Sequence, residues 1–259
     1  MPETPTAAVA IIAGGETAGS KLEGAGANLK ALLDIGGVPM VAHVVRAARA
    51  TPSVGRVLVI GPESLREAVS AEGAELSVPR ADTFIANIRM AAQALSDYAM
   101  ILVTCCDIPL VSPEGLEDFI QKGFASGAEF CYPIVTEEAE SAAFPGGDRT
   151  IVRLRDGRFT GGNAVLVTPD FLRRQGGLIE RTFEARKSKL QLVRILGFPF
   201  VIRFFLGLLT IERIERRAGE ILGGSAKAIV SEDPALGFDV DKLSDLDVVR
   251  AHLARQAGA

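Results

Sequence analysis

The chain has 259 residues, of which 48% are hydrophobic and 23% charged, so it is long enough and apolar enough to build a sizeable core. Its formal net charge of −4 argues against a protein that binds the phosphate backbone of nucleic acids, but not against one that binds a single nucleotide. The first residues lack a signal-peptide pattern, and Cys105, Cys106 and Cys131 lack metal-ligand spacing. We therefore expect buried free thiols and a cytoplasmic protein.

In the first half, apolar runs of strand length alternate with stretches of helical periodicity. The predicted strands are 7–13, 56–61, 99–105 and 128–135, and the predicted helices are 38–50, 63–71, 84–96 and 112–124. Ser112 as N-cap and Pro113 at the first helical position mark the start of the last of these helices. This alternation predicts an α/β fold with a Rossmann-like, mostly parallel sheet and helices on both faces.

The second half has a different pattern. Residues 150–169 predict two strands around the turn Arg155-Asp156-Gly157, followed by a break at Gly161-Gly162-Asn163. A basic, helical stretch and an apolar one follow, then a strand at 226–230 and a helix at 244–256 with a capping box from Ser244 to Asp247. We predict one domain over 1–259, with a helical arm inserted at about 171–223.

A glycine-rich loop follows the first strand. Gly14 and Gly15, with Lys30 further on, could surround phosphates with backbone N–H groups and one ammonium. The spacing fits neither a Walker A loop nor a dinucleotide fingerprint, because Gly24-Ala25-Gly26 leads into residues 28–35, which predict another short strand. A mobile loop without a ligand is the alternative.

Asp107 stands at the carboxyl end of a fully hydrophobic strand, where open α/β sheets bind their ligands. A carboxylate there favours a metal ligand over a plain turn. Asp239 and Asp241 are two residues apart, so on an extended segment both carboxylates share one face and could approach one cation. A solvated acidic turn is the alternative, and Asp245 fits the first turn of the last helix.

Five motifs taken together resemble the MobA-like NTP transferases. They are "IIAGG", "NLKALLDIGGVPMVAHVV", "VTCCDIPLVSP", "FTGGNAVLV" and "GFDVDKLSDL", and they occur in the family's order. Each motif is weak alone, and the combination is much more specific. The resemblance implies a sheet related to that of the nucleotide-diphospho-sugar transferases, with a nucleoside triphosphate bound across the strand ends.

The resemblance also implies roles for individual residues. The resemblance assigns nucleotide binding to the glycine loop, to one residue of the predicted helix 84–96 and to the strand end. These residues are Ala13, Gly14, Gly15, Lys30, Asn87 and Asp107. Asp107 and Asp241 would hold Mg²⁺, with Asp241 matching the second metal position better than Asp239. Lys30 and Lys21 would neutralise phosphate charge as catalytic groups, and Gly162 and Asn163 would bind the acceptor. The implied reaction transfers NMP from an NTP to a phosphorylated small molecule and releases pyrophosphate.

The sequence departs from the family in two places. The arginine that usually follows the glycine pair is missing, and only Lys21 offers comparable charge. The arm at 171–223 has no counterpart in the smallest members, so a molybdopterin acceptor does not follow. Two other functions therefore remain open: a sugar-nucleotide-dependent glycosyltransferase, suggested by the D-x-D at 239–241, and a non-catalytic nucleotide-binding paralogue.

The inserted arm combines a basic stretch with a Phe-rich one. Arginines and lysines between 181 and 194 precede the segment 195–211, which carries one charge, Arg203. This segment is too short and too interrupted to span a bilayer. We expect it to pack on the domain or on a dimer partner, with peripheral membrane contact as the alternative.

Overall fold

The computed structural model describes residues 6–79, 83–145, 149–175 and 189–257. Its centre is a nine-stranded, mostly parallel sheet with strand order β5-β4-β1-β6-β10-β7-β9-β8, in which β11 pairs with β7. The strands are β1 (Ala7–Ile12), β4 (Val54–Ile60), β5 (Glu75–Ser77), β6 (Met100–Cys105), β7 (Phe130–Thr136), β8 (Val152–Leu154), β9 (Gly157–Gly161), β10 (Ala164–Val167) and β11 (Ala226–Val230). β2 (Asp34–Ile35) and β3 (Val38–Pro39) form a separate small hairpin.

The helices connect these strands. They are α1 (Met40–Ala50), α2 (Arg66–Ala71), α3 (Phe84–Ala94), α4 (Pro113–Ser126), α5 (Glu137–Ala143), α6 (Lys189–Leu196), α7 (Phe198–Phe205), α8 (Ile211–Leu222) and α9 (Leu243–Ala257). Helical turns also occupy 169–175, and short 3₁₀ helices lie at Lys30–Leu32, Glu63–Leu65 and Pro234–Gly237. No helix in the described ranges is both long and apolar enough to cross a bilayer.

Both faces of the sheet are covered, as the sequence predicts. Alternate residues of β1 point to opposite faces, so Val9 and Ile11 pack with α1 and α4, whereas Ala8 and Ala10 pack with α3 and Phe171. The parallel neighbours β1 and β6 end together, with Ile12 opposite Cys105. This register brings the glycine loop and Asp107 to the same edge of the sheet.

Local signals explain where α4 begins and ends. The Ser112 side chain accepts from Gly115 N at 2.9 Å, Pro113 is the first helical residue, and Gly127 closes the helix with φ +64°. The predicted start of α4 is therefore confirmed.

Cys105, Cys106 and Cys131 are free, and burial raises the pKa of Cys105 to about 12, so that its thiol stays protonated and unreactive.

Two local predictions are wrong. Within the predicted strand 28–35, residues 30–32 form a 3₁₀ helix, and strand pairing is limited to an isolated bridge at Leu29 and to the two residues of β2. The last helix is capped by Asp245 rather than by Ser244 and Asp247, because Asp245 Oδ2 accepts from Asp241 N at 3.0 Å and from Lys242 N at 3.1 Å. The predicted place of Asp245 in the first turn is confirmed.

The helices α6, α7 and α8 lie between β10 and β11 in the chain, within the range 171–223 of the predicted arm. Its described part is the helical residues 169–175 followed by α6, α7 and α8. Residues 176–188, which include most of the basic stretch, lie outside the described residues. Leu222 at the end of α8 packs against the α3 side of the core, so α8 covers that face of the sheet.

Candidate active site

Three carboxylates meet at the carboxyl edge of the sheet. Asp107 follows β6, and Asp239 and Asp241 follow the 3₁₀ helix at Pro234–Gly237. Val240 N donates to the Asp107 carbonyl at 2.9 Å, which joins the two segments through their backbones. Each aspartate offers an oxygen within 4.8 Å of the others. The two segments predicted to share a site are thus brought together, and Asp239 belongs to the cluster with Asp241.

Lys30 stands between two of these carboxylates. Its Nζ donates to Asp107 Oδ2 at 2.7 Å and to Asp241 Oδ1 at 2.8 Å. Burial on its own would lower the pKa of Lys30, but the two ion pairs outweigh burial and raise that pKa above its ordinary value. Lys30 is therefore a permanent cation at the centre of the site.

Arg149 holds the third carboxylate. Its Nη1 donates to Asp239 Oδ1 at 2.5 Å and its Nη2 to the Asp239 carbonyl at 2.6 Å. The guanidinium also lies 4.2 Å from the ring centre of Phe238, and its Nε is buried without a hydrogen-bond partner among the described residues. Arg149 therefore fixes the orientation of Asp239.

The charge of this cluster suits a divalent cation. Three carboxylates against two cationic side chains leave one formal negative charge, and Asp107 Oδ1 is buried with no hydrogen-bond partner in the described ranges. Burial, together with the charges of Asp241 and Asp107, raises the pKa of Asp239 to about 6. For Asp241, burial would raise the pKa, but the hydrogen bond from Lys30 and its charge lower it. The chemistry of Asp107, Asp239 and Asp241 thus fits a hard metal ion.

The glycine loop is folded back onto this cluster. Glu16 and Leu29 form an isolated bridge, and Lys30 N donates to the Gly15 carbonyl at 2.9 Å. A Cβ on Gly15 would lie 3.9 Å from the Lys30 side chain, so Gly15 is adjacent to the central ammonium. Ala13 is buried and bonded to β4 through Ile60, whereas Gly14 and Gly15 are accessible. Exposed backbone beside a lysine is the arrangement expected of a phosphate-binding loop.

Lys21 occupies another part of this loop. It is exposed in the turn between Thr17 and Ala25, where Leu22 is the residue that packs inward. The hydrogen bonds found among the described residues do not join Lys21 to the carboxylates. The predicted catalytic role of Lys21 therefore stays a proposal, which none of these hydrogen bonds supports.

Asn87 is a buried polar residue on α3. It is 2% exposed, and its Oδ1 has no hydrogen-bond partner among the described residues. A buried amide oxygen without a partner is costly, so an incoming donor would be stabilised there. Residues 80–82, which precede α3 in the sequence, lie outside the described part of the chain.

Gly162 and Asn163 interrupt the long strand that pairs with β7. β9 and β10 pair with successive parts of β7, and the break lies between them. Gly162 N donates to the Pro133 carbonyl, and a Cβ there would lie 2.7 Å from Pro133, so this position needs glycine for packing. Asn163 instead faces a cavity, with its carbonyl accepting from Thr104 Oγ1 at 3.0 Å.

This cavity runs from the carboxylates to the arm. It has a volume of about 710 Å³ and lies between β7, β9 and β11 on one side and α7 and α8 on the other. We call it the trough. Its polar end comprises Arg149, Asn163, Asp239 and Asp241, and its walls are mostly apolar, including Phe130, Ile134, Phe159, Phe204, Ile214 and Ala218.

The sequence gives little indication of Arg149 or of the trough. Arg149 lies in a Gly- and Asp-rich stretch with no motif spacing, and its partnership with Asp239 spans 90 residues. The apolar residues of the trough come from six separate elements, β7, β8, β9, β11, α7 and α8. The only usable signal was the carboxylate pair at 239–241, which requires a cation nearby.

Comparison with known proteins decides the family. The model of the MobA-like NTP transferase domain matches residues 9–183. The chain belongs to the MobA-like NTP transferase family. The match covers the glycine loop, Asp107, Arg149 and Asn163, and it identifies a nucleotidyltransferase domain. Asp239, Asp241 and helices α6 to α8 lie beyond its end.

Solved structures extend the similarity to the whole fold. A hypothetical transferase from Thermus thermophilus superimposes with a TM-score of 0.83 at 33% identity, covering 94% of this chain and 100% of that one. CMP:2-keto-3-deoxy-manno-octonic acid synthetase complexed with CTP superimposes with a TM-score of 0.66 at 19% identity, over 97% of this chain and 99% of that one. The second likeness concerns the fold alone.

Curated relatives match over shorter stretches. A 3-deoxy-manno-octulosonate cytidylyltransferase from Rhodopseudomonas palustris is 56% identical over 55 residues, which are 20% of this chain and 22% of that protein. The bifunctional protein GlmU from Rhodospirillum rubrum is 33% identical over 126 residues, or 48% of this chain and 27% of that protein. The chain thus matches about a quarter of the length of these relatives.

Proposed function

We propose that the protein is a magnesium-dependent nucleotidyltransferase that moves NMP from an NTP to a phosphorylated acceptor and releases pyrophosphate. The observation that carries the proposal is the meeting of Asp107, Asp239 and Asp241 around Lys30, next to the accessible glycine loop. Carboxylates of this kind hold a cation that neutralises phosphate oxygens. The family assignment and the fold of the CTP-bound synthetase support the same class of reaction. A cytoplasmic location, where NTPs are present, is part of the proposal.

The reaction needs little from the protein beyond placement and charge. A phosphate oxygen of the acceptor forms a bond to the α-phosphorus of the NTP, and the bond from that phosphorus to the β-phosphate bridging oxygen breaks. Pyrophosphate leaves with the electron pair. A phosphate monoester is already ionised at neutral pH, so its attack requires no general base.

The position of each residue in the site indicates its role in the proposed reaction. Asp107, Asp239 and Asp241 would hold Mg²⁺, which supplies charge neutralisation at the triphosphate when bound. Gly14 and Gly15 would present backbone N–H groups to the phosphates, and Lys30 would align two carboxylates while remaining within reach of a phosphate oxygen. Asn163, with Gly162 shaping the backbone, would meet the acceptor. We keep Asn87 as a nucleotide contact, since its buried amide oxygen lacks a partner.

The arm offers a contact surface as well. On α7 and just after it, Phe198 is 67% exposed, Phe205 81% and Leu206 64%. Large apolar side chains clustered in this way support a contact with a second surface through 195–211. A membrane and a second copy of the chain are the two surfaces that this proposal includes.

Turnover assays test the proposed reaction. We expect pyrophosphate release in the presence of Mg²⁺ with one of the four NTPs, CTP first in view of the relatives, and pooled phosphorylated acceptors. Asp107→Ala and Lys30→Ala should each lower turnover at least ~10²-fold, because electrostatic stabilisation of the transition state is lost. Asp118→Ala, which removes an exposed carboxylate on α4, is the control. Near-normal turnover in both site variants would refute the assignment, and nucleoside diphosphate release from a sugar nucleotide would favour glycosyl transfer.

A further inference from the structure

The polar and apolar groups of the trough are segregated. Charged and amide groups that face it cluster at the carboxylate end, where Arg149, Asn163, Asp239 and Asp241 lie. Away from that end, the charged lining residues are Glu215 and Lys227, and these pair with each other at 2.8 Å. Glu215 also accepts from Ala228 N at 3.0 Å. Tyr132, Thr150 and Thr160 also line the trough and carry hydroxyl groups. Apart from these three hydroxyls, the side chains that line the trough away from its carboxylate end offer a ligand few free polar partners.

Such a lining selects against a polyhydroxylated acceptor. Each sugar hydroxyl that leaves water without a hydrogen-bond partner costs free energy, and Phe130, Ile134 and Phe159 cannot supply partners. An alkyl chain gains free energy on the same surface, because it removes apolar area from water on both sides. The volume of about 710 Å³ lies in the range of sites that bind whole small molecules.

The apolar surface continues outward from the trough. Phe204 lines the trough, and the ring of the next residue, Phe205, packs edge-on against it with centroids 5.8 Å apart. Phe205 is 81% exposed, and Leu206 is 64% exposed. One side of α7 therefore closes the trough while the adjoining side chains face outward, so a chain longer than the trough would meet further apolar surface.

We propose that the acceptor is an amphiphile, a phosphate monoester carrying an aliphatic chain, with its phosphate at the carboxylate end and its chain along the trough. This inference rests on the proposed nucleotidyl transfer and names the acceptor class for it. The phosphate would then lie at the end of the trough that Asn163 and Arg149 line. The arm, which supplies Phe204, Ile214 and Ala218, is the part of the chain that makes the acceptor site apolar.

Equilibrium binding to a series of alkyl phosphates tests this proposal without turnover. Butyl, hexyl, octyl and decyl phosphate, each below its micelle concentration, are titrated calorimetrically into the full-length protein, with glucose 6-phosphate as the polyhydroxylated comparison. We expect affinity to rise about fourfold per buried methylene until the trough is filled. Equal affinity for butyl and decyl phosphate, or tighter binding of the sugar phosphate, would overturn the proposal.

A pair of variants locates the binding. Ala218→Phe fills the trough and should weaken octyl phosphate binding at least tenfold. Ala125→Phe is the control, because it adds the same ring to the exposed surface of α4, on the opposite face of the sheet. Unchanged octyl phosphate binding by a folded Ala218→Phe protein would place the chain elsewhere and overturn the proposal. NTP binding is titrated on the same samples. If the unsubstituted protein bound no NTP, nucleotidyl transfer would be refuted. The affinities for the alkyl phosphates would still decide whether the trough binds an aliphatic chain.

Discussion

Arg149 is the residue on which the orientation of Asp239 depends. Its guanidinium binds both the carboxylate and the carbonyl of Asp239 and stacks on Phe238. Such a bidentate arrangement has a geometry that a lysine cannot reproduce. Arg149 also lies at the polar end of the trough.

Loss of Arg149 should weaken metal binding. We expect Arg149→Ala to lower the apparent affinity for Mg²⁺ in the presence of NTP about tenfold, because residues that orient metal ligands typically contribute this much. Arg149→Lys should recover only part of the loss. Arg153→Ala, an exposed arginine on β8, is the matched control. A Mg²⁺ titration in which both Arg149 variants match the unsubstituted protein would show that Asp239 needs no such support.

At the scale of elements, the start of α9 positions the second half of the carboxylate cluster. Asp245 is 5% exposed and accepts two backbone N–H groups, those of Asp241 and Lys242. It therefore caps the helix and fixes the backbone that carries Asp241. The same side chain therefore stabilises the start of α9 and positions a residue of the candidate site.

Removing this cap should affect stability and metal binding together. Asp245→Ala should lower the free energy of unfolding by about 1 kcal/mol, the usual effect of a lost cap. It should also weaken Mg²⁺ binding, since the Asp241 backbone is no longer held. Asp247→Ala, an exposed carboxylate in the same helix, should change neither. Urea unfolding and Mg²⁺ titration of both variants provide the measurement, and equal stability of the two would contradict the role given to Asp245.

At the scale of the whole molecule, the exposed side of α7 distinguishes the arm from the rest of the described surface. Vesicles containing anionic lipid test the membrane alternative: a membrane contact through α7 would make the protein pellet with them, and Phe205→Ser would reduce pelleting, because one large exposed ring is lost. Val78→Ser removes an exposed apolar side chain just after β5 and is the control. Sedimentation without vesicles reports self-association. If the protein did not pellet at low or high salt, a membrane would be excluded as the surface that α7 contacts, and a second copy of the chain would be left as the partner.

The sequence predicted those parts of the molecule that depend on local pattern. The alternation of buried strands and helices, the α4 cap at Ser112 and the strand-end position of Asp107 all follow from residues close in sequence. The pairing of Lys30 with Asp241 spans 211 residues, and it depends on the register of β1 and β6 and on the backbone bond from Val240. The trough depends on how α7 and α8 pack on the sheet, which periodicity alone does not fix. The single-domain assignment over 1–259 stays a prediction.

The central claim is that the three carboxylates hold a divalent cation together with an NTP. Calorimetric titration of the NTP, with and without Mg²⁺, into the unsubstituted protein and Asp241→Asn tests it most directly. We predict that Mg²⁺ increases NTP affinity at least ~10-fold in the unsubstituted protein, since the cation bridges carboxylates and phosphates, and that Asp241→Asn loses most of this increase. Identical NTP affinities with and without Mg²⁺ in the unsubstituted protein would contradict the account.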